Sequence, residues 1–100
     1  MDKKFYFELL LISNKHTTMG GITKILNRYD CKILVKEAWG DKLLAYPVRK
    51  HNTKYNKGFY YFYRFEMTND ESIHNIQDEI TNKSDVLKHI IVHLSEEDIY

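Results

Sequence analysis

Residues 43–67 read LLAYPVRKHNTKYNKGFYYFYRFEM: a hydrophobic run ending in Tyr46-Pro47, a basic and Asn-rich segment, then an aromatic stretch from Gly58 to Met67. The aromatic stretch is too apolar for an exposed loop and too rich in aromatic residues for a comfortable helix, so it reads as an interior β-strand. Phe59, Tyr61, Tyr63, Phe65 and Met67 fall on one face, and Tyr60, Phe62, Arg64 and Glu66 on the other. Both faces are largely apolar and both need covering. A chain of 100 residues has helices enough for one face only, which leaves the second for a partner.

The remaining elements follow from periodicity. Phe5 to Ile12 alternates Phe5, Phe7, Leu9, Leu11 against Tyr6, Glu8, Leu10, Ile12, a strand apolar on both sides and therefore central. After the break at Ser13-Asn14-Lys15-His16, with Thr17 or Thr18 as cap, Met19, Ile22, Ile25, Leu26 and Tyr29 recur at helical spacing. The Gly20-Gly21 pair costs that helix ~1 kcal/mol per residue relative to Ala. Cys31 to Ala45 is a second strand with a bend or bulge at Gly40-Asp41, closed by Pro47, which has no amide hydrogen for a central ladder. Arg49 to Lys57 reads as a polar, mobile loop. Thr68-Asn69-Asp70-Glu71 fits a capping box in which Thr68 accepts from the amide of Glu71. Ile73, Ile76 and Ile80 form the stripe of a second helix, and Val86 to Leu94 a last strand.

The order β-α-β-β-α-β is the ferredoxin-like, α+β arrangement: a four-stranded antiparallel sheet of order 4-1-3-2 with two helices on one face. It places the two doubly apolar strands in the centre. Residues 1–95 read as one domain and 96–100, opening with Glu96-Glu97-Asp98, as a short acidic tail. The open face then carries Tyr60, Phe62 and Arg64 beside Tyr6, Glu8 and Leu10, with Arg64 able either to pair with Glu8 or to meet an outside anion.

Net charge is +1, but its distribution is uneven. Lys42, Arg49, Lys50, Lys54 and Lys57 crowd residues 42–57, whereas residues 66–79 hold five acids and no Lys or Arg. Cys31 is the only cysteine, which excludes an intramolecular disulfide and fits a reducing compartment. No apolar run approaches the ~20 residues of a membrane span. The run Leu9 to Ile12 follows Glu8 with no cleavage pattern, so no signal peptide is expected; an organellar protein of this kind is made in the organelle or carries no separate leader.

Leu44-Ala45-Tyr46-Pro47-Val48, then Gly58-Phe59-Tyr60 leading to Phe65-Glu66-Met67, then Asp85-Val86-Leu87-Lys88, with Lys3-Lys4-Phe5 at the start, resemble the family of the sixth small-subunit ribosomal protein of bacterial type. The resemblance covers nearly the whole chain. It departs in a first helix about two turns shorter and a longer segment between Pro47 and Gly58, as in mitochondrial members. It implies a non-enzymatic protein without cofactor on the ribosome, in a mitochondrion with plastid or bacterial cytoplasm as alternatives. The implied partners are small-subunit rRNA in its central domain, the eighteenth small-subunit ribosomal protein and other ribosomal proteins, and no membrane. Lys3, Lys4, Arg49, Lys50, Lys54, Lys57 and Lys88 are the candidate phosphate contacts, which position without reading sequence. Trp39, Tyr46, Tyr60 and Phe62 are candidates for the protein partner, aromatic residues being favoured in interface cores.

Two other readings stand beside it. Lys57-Gly58-Phe59-Tyr60-Tyr61-Phe62-Tyr63-Arg64 is similar to the third-strand run of RNA recognition motifs, which would make Tyr61 a stacking platform for unpaired bases. An acylphosphatase-like enzyme needs a glycine-rich phosphate cradle with an Arg after the first strand, where this chain has Ser13-Asn14-Lys15-His16. His89 and His93 share a strand face but lie about 13 Å apart at ~3.3 Å per residue, too far to close on one metal ion. The lysines are also ordinary exposed-loop residues, and His51, Asn52 and Asn56 ordinary turn formers.

Overall fold

The computed structural model describes residues 4–16 and 18–94. Lys3, the Thr17 alternative for the first helix cap and the acidic tail lie outside them. The elements are β1 (Phe5–Ser13), α1 (Thr18–Arg28), β2 (Lys32–Lys50), β3 (Thr53–Met67), α2 (Ile73–Thr81) and β4 (Val86–Leu94). They form one antiparallel sheet of order β2-β3-β1-β4, the expected ferredoxin-like plan with β1 and β3 central.

Alternation does what the pattern requires of it. Phe7, Leu9 and Leu11 of β1 and Tyr61, Tyr63, Phe65 and Met67 of β3 are buried against Ile22, Ile25 and Leu26 of α1 and Ile76 and Ile80 of α2. Buried hydroxyls on this side find partners: the Tyr63 hydroxyl donates to the Met19 carbonyl at 2.9 Å and the Tyr61 hydroxyl to the Lys15 carbonyl at 3.1 Å. Ser13, Thr18 and Asp85 tie the ends of β1, α1 and the α2–β4 turn together, with Ser13 Oγ donating to the Asp85 carbonyl and Thr18 Oγ1 to the Asp85 carboxylate.

Three expectations are corrected. β2 does not close at Pro47 but runs on to Lys50. It is an edge strand, and Leu44 to Pro47 form a bulge of four residues opposite Asn56 alone, so the missing amide hydrogen of Pro47 breaks no ladder bond. Arg49 to Lys57 is not a loop but the end of a long hairpin: Arg49 pairs with Lys54 and Lys50 with Thr53 across a two-residue turn. His51 and Asn52 both take positive φ, 51° and 63°, as a turn matched to the twist of the strands requires. The capping side chain at this end is that of Asn69 and not of Thr68: it accepts from the amide of Glu71 at 2.9 Å and caps a 3-10 turn (Asp70–Ser72), while α2 itself starts from Ser72 without a side-chain cap. The bulge at Gly40 is present: the register shifts between Ala38 and Gly40, and Gly40 takes φ 84°.

Candidate nucleic-acid interface

The β2–β3 hairpin folds back toward the end of β1. Gly58 makes the crossing possible, since a Cβ there would lie 2.3 Å from Ile12 Cγ2 and 3.3 Å from the Ser13 carbonyl oxygen. Beyond it, Tyr55 Oη accepts from Asn14 Nδ2 at 3.1 Å, and Lys50 Nζ donates to the carbonyls of Lys83, at 3.0 Å, and Val86. The bulge, Val48, Ile12, Tyr60 and Lys88 line an open cleft of about 240 Å³.

This geometry separates the basic residues predicted from sequence. Arg49 and Lys54 stand directly opposite each other and exposed. Among the described residues neither has an ion-pair partner. Lys57 lines a second cleft with Asn14, Asp41 and Tyr55, and Lys88 stands at the rim of the first. Lys50 differs from these: its ammonium donates to two backbone carbonyls and points into the body. Lys4 does not join the group. It lies at the opposite end of β1, about 30 Å away at ~3.3 Å per residue, with its ammonium 3.8 Å from Glu66.

The uncovered sheet face gathers most of the aromatic candidates. Trp39 stacks on Phe62 with ring centroids 5.4 Å apart and planes 10° from parallel, held by its indole N–H donating to Glu37 at 3.0 Å. Lys42, absent from the predicted site, lies 5.7 Å from the Trp39 ring centroid and 5.9 Å from that of Tyr60. Its signal was present in the sequence as a cation beside aromatic strand positions, but the bulge that turns Trp39 toward Phe62 was needed to aim it. Leu10, paired with Phe62 on one side and the exposed Ile90 on the other, extends the apolar band across the sheet. Tyr46 stands apart on the hairpin bulge, 83 % exposed, and meets Tyr60 only across the cleft. Arg64 takes the pairing option, with Nη2 donating to Glu8 Oε2 at 2.8 Å.

The geometry also bears on the two alternative readings. Tyr61 is 4 % exposed and turned toward the helices, so it offers no stacking platform, and Phe59 is half-buried beside His16. In the turn after β1 the amide of Asn14 donates to the Asp85 carbonyl and that of Lys15 to Ser13 Oγ, leaving those two donors unavailable for a phosphate.

Comparison with known proteins agrees with this architecture. Pairwise comparison with curated protein sequences gives no significant match. Among solved structures, the crystal structure of 30S ribosomal protein S6 from Thermotoga maritima superposes with a TM-score of 0.79, covering 92% of this chain and 89% of that one at 16% identity, a likeness of fold. The family model described as Ribosomal protein S6 matches residues 8–93. Spanning most of the sheet and both helices, that match shows that the chain belongs to the ribosomal protein S6 family.

Proposed function

We propose that this chain, a structural protein of the small ribosomal subunit by its family, binds small-subunit rRNA in its central domain through the outward side of the β2–β3 hairpin. On its open sheet face it holds a neighbouring protein, the eighteenth of the subunit. The observation that carries the first half is the Arg49–Lys54 pair. Two cations placed opposite each other on a two-stranded ribbon repel, and with no carboxylate among the described residues paired to either they are best satisfied by a phosphate. Lys57 and Lys88 flank the same hairpin and extend the positive surface. The apolar band through Ile90, Leu10, Phe62 and Trp39 supports the second half: it is continuous, carries aromatic residues and is rimmed by charges, as interface cores are. We place the chain in a mitochondrial ribosome, on the extended Pro47–Gly58 segment; plastid and bacterial ribosomes are the alternatives.

The test is the salt dependence of rRNA binding by the wild type and by Arg49→Gln/Lys54→Gln. If both residues meet phosphates, the log–log slope becomes shallower by ~0.7 to 0.9 for each phosphate that is no longer neutralised. An unchanged slope removes the hairpin from the RNA interface.

A further inference from the structure

We infer that Lys50 is a positioning residue: its ammonium fastens the hairpin tip to the α2–β4 turn, so that Arg49 and Lys54 are presented outward, and it makes no phosphate contact of its own. The inference rests on the RNA reading above for its purpose, though not for its geometry.

Three observations converge on it. Side chains alternate along a ribbon, so Lys50 shares a side with Val48, which lines the cleft against the body, while Arg49 lies on the other side. The two carbonyls that Lys50 engages, of Lys83 and Val86, bracket the turn between α2 and β4, and the Lys83 carbonyl also accepts the amide of Val86 at 3.2 Å. The acceptor pair is thus held by the backbone itself. On the partner strand, Tyr55 meets Asn14 at the β1–α1 turn, so each strand of the tip has its own anchor on a different loop.

The anchors matter because the ladder cannot supply rigidity there. The bulge at Leu44 to Pro47 interrupts pairing between the tip and the rest of the sheet, and an isolated two-stranded ribbon is marginal in water. An ammonium bound by two carbonyls is a charge-assisted contact, stronger than a neutral hydrogen bond. A tip so held presents Arg49 and Lys54 without an ordering cost at the moment of binding.

Lys50→Met separates the roles when compared with Lys54→Gln, which removes the same charge. Two readouts are taken: rRNA affinity across a salt series, and amide hydrogen exchange of residues 48–55 in the free protein, with β1 amides reporting that the body stays folded. We expect Lys50→Met to weaken binding about tenfold, the scale of one hydrogen bond to a charged group, with the wild-type salt slope, and to speed exchange at the tip. Lys54→Gln should flatten the slope without speeding exchange at the tip. A slope in Lys50→Met as shallow as in Lys54→Gln would make Lys50 a phosphate ligand and overturn the inference; so would wild-type exchange at the tip. Should the wild type fail to bind rRNA, the RNA reading falls, and the exchange measurement alone decides whether the clamp exists.

Discussion

From Phe59 to Glu66, β3 lies between β1 and β2, and it buries Tyr61, Tyr63, Phe65 and the following Met67 beneath the helices. From Thr53 to Lys57 the same strand has only β2 beside it, and its neighbours on the body are reached through single polar contacts such as Tyr55 with Asn14. The proximal half is held by non-directional burial, which is large and cooperative. The distal half is held by a few directed bonds, which set its angle and leave its outer surface free for charge. One continuous strand can therefore carry a core and a ligand surface without either constraining the other's residues.

The sharpest test of this contrast is a deletion in the proximal half. Phe65 is fully buried and stacked 5.6 Å from Phe7, so Phe65→Ala should lower the unfolding free energy by about 3–5 kcal/mol in urea titration. A loss below about 0.5 kcal/mol, the ordinary surface range, would break the division. Gly58→Ala probes the junction between the halves. Its Cβ would collide with Ile12 Cγ2, which predicts a cost of about 1–3 kcal/mol. Adding Ile12→Ala removes the obstructing carbon, so the double variant should be more stable than the sum of the two single losses. Strict additivity would mean the hairpin does not cross β1 where Gly58 places it.

Titration gives a further separation. Burial pushes the Cys31 thiol from an ordinary 9.0 up to about 12, and burial likewise raises the Tyr63 hydroxyl. Both stay neutral in the fold while the unfolded chain ionises first. The contribution is therefore complete below pH 9 and is lost as pH rises toward 12. Urea midpoints should fall across that window, and Cys31 should resist alkylation at pH 8 until the chain unfolds. Rapid labelling of the native protein at pH 8 would contradict the burial of the α1–β2 junction.

Most of the proximal half was legible in the sequence because burial writes itself as a period. Two strands apolar on both sides could only be central, and the ferredoxin-like order followed. The Glu8–Arg64 pair was visible once those strands were neighbours. The distal half was not legible, for physical reasons that differ by residue. Its turn is built by His51 and Asn52 in left-handed conformation, without the glycine that marks such turns. Pro47 ends a central strand but is tolerated on an edge strand inside a bulge, and β2 is the edge. Lys50 is chemically indistinguishable from Lys54 in a string of letters. Only the register tells which ammonium turns to carbonyls and which to solvent. Of the aromatic candidates read from the sequence, Trp39, Tyr60 and Phe62 meet on one face, with Tyr46 across the cleft.

The smallest predicted effect on stability is also the one whose sign discriminates best. Arg49 and Lys54 are cross-strand neighbours of like charge, so in the free protein each is a liability for the fold. Arg49→Gln relieves that repulsion and should raise stability by about 0.2–1 kcal/mol, the scale of a cross-strand pair, with the gain shrinking as salt screens the wild-type repulsion. The same substitution should weaken rRNA binding and flatten its salt slope. A surface kept merely for solubility would show no such opposition: the repulsion would still be relieved, but rRNA binding and its salt slope would stay nearly unmoved. If Arg49→Gln destabilises instead, Arg49 is making a structural contact like that of Lys50, and the outward side of the hairpin is not the electrostatically strained surface that a phosphate would relieve.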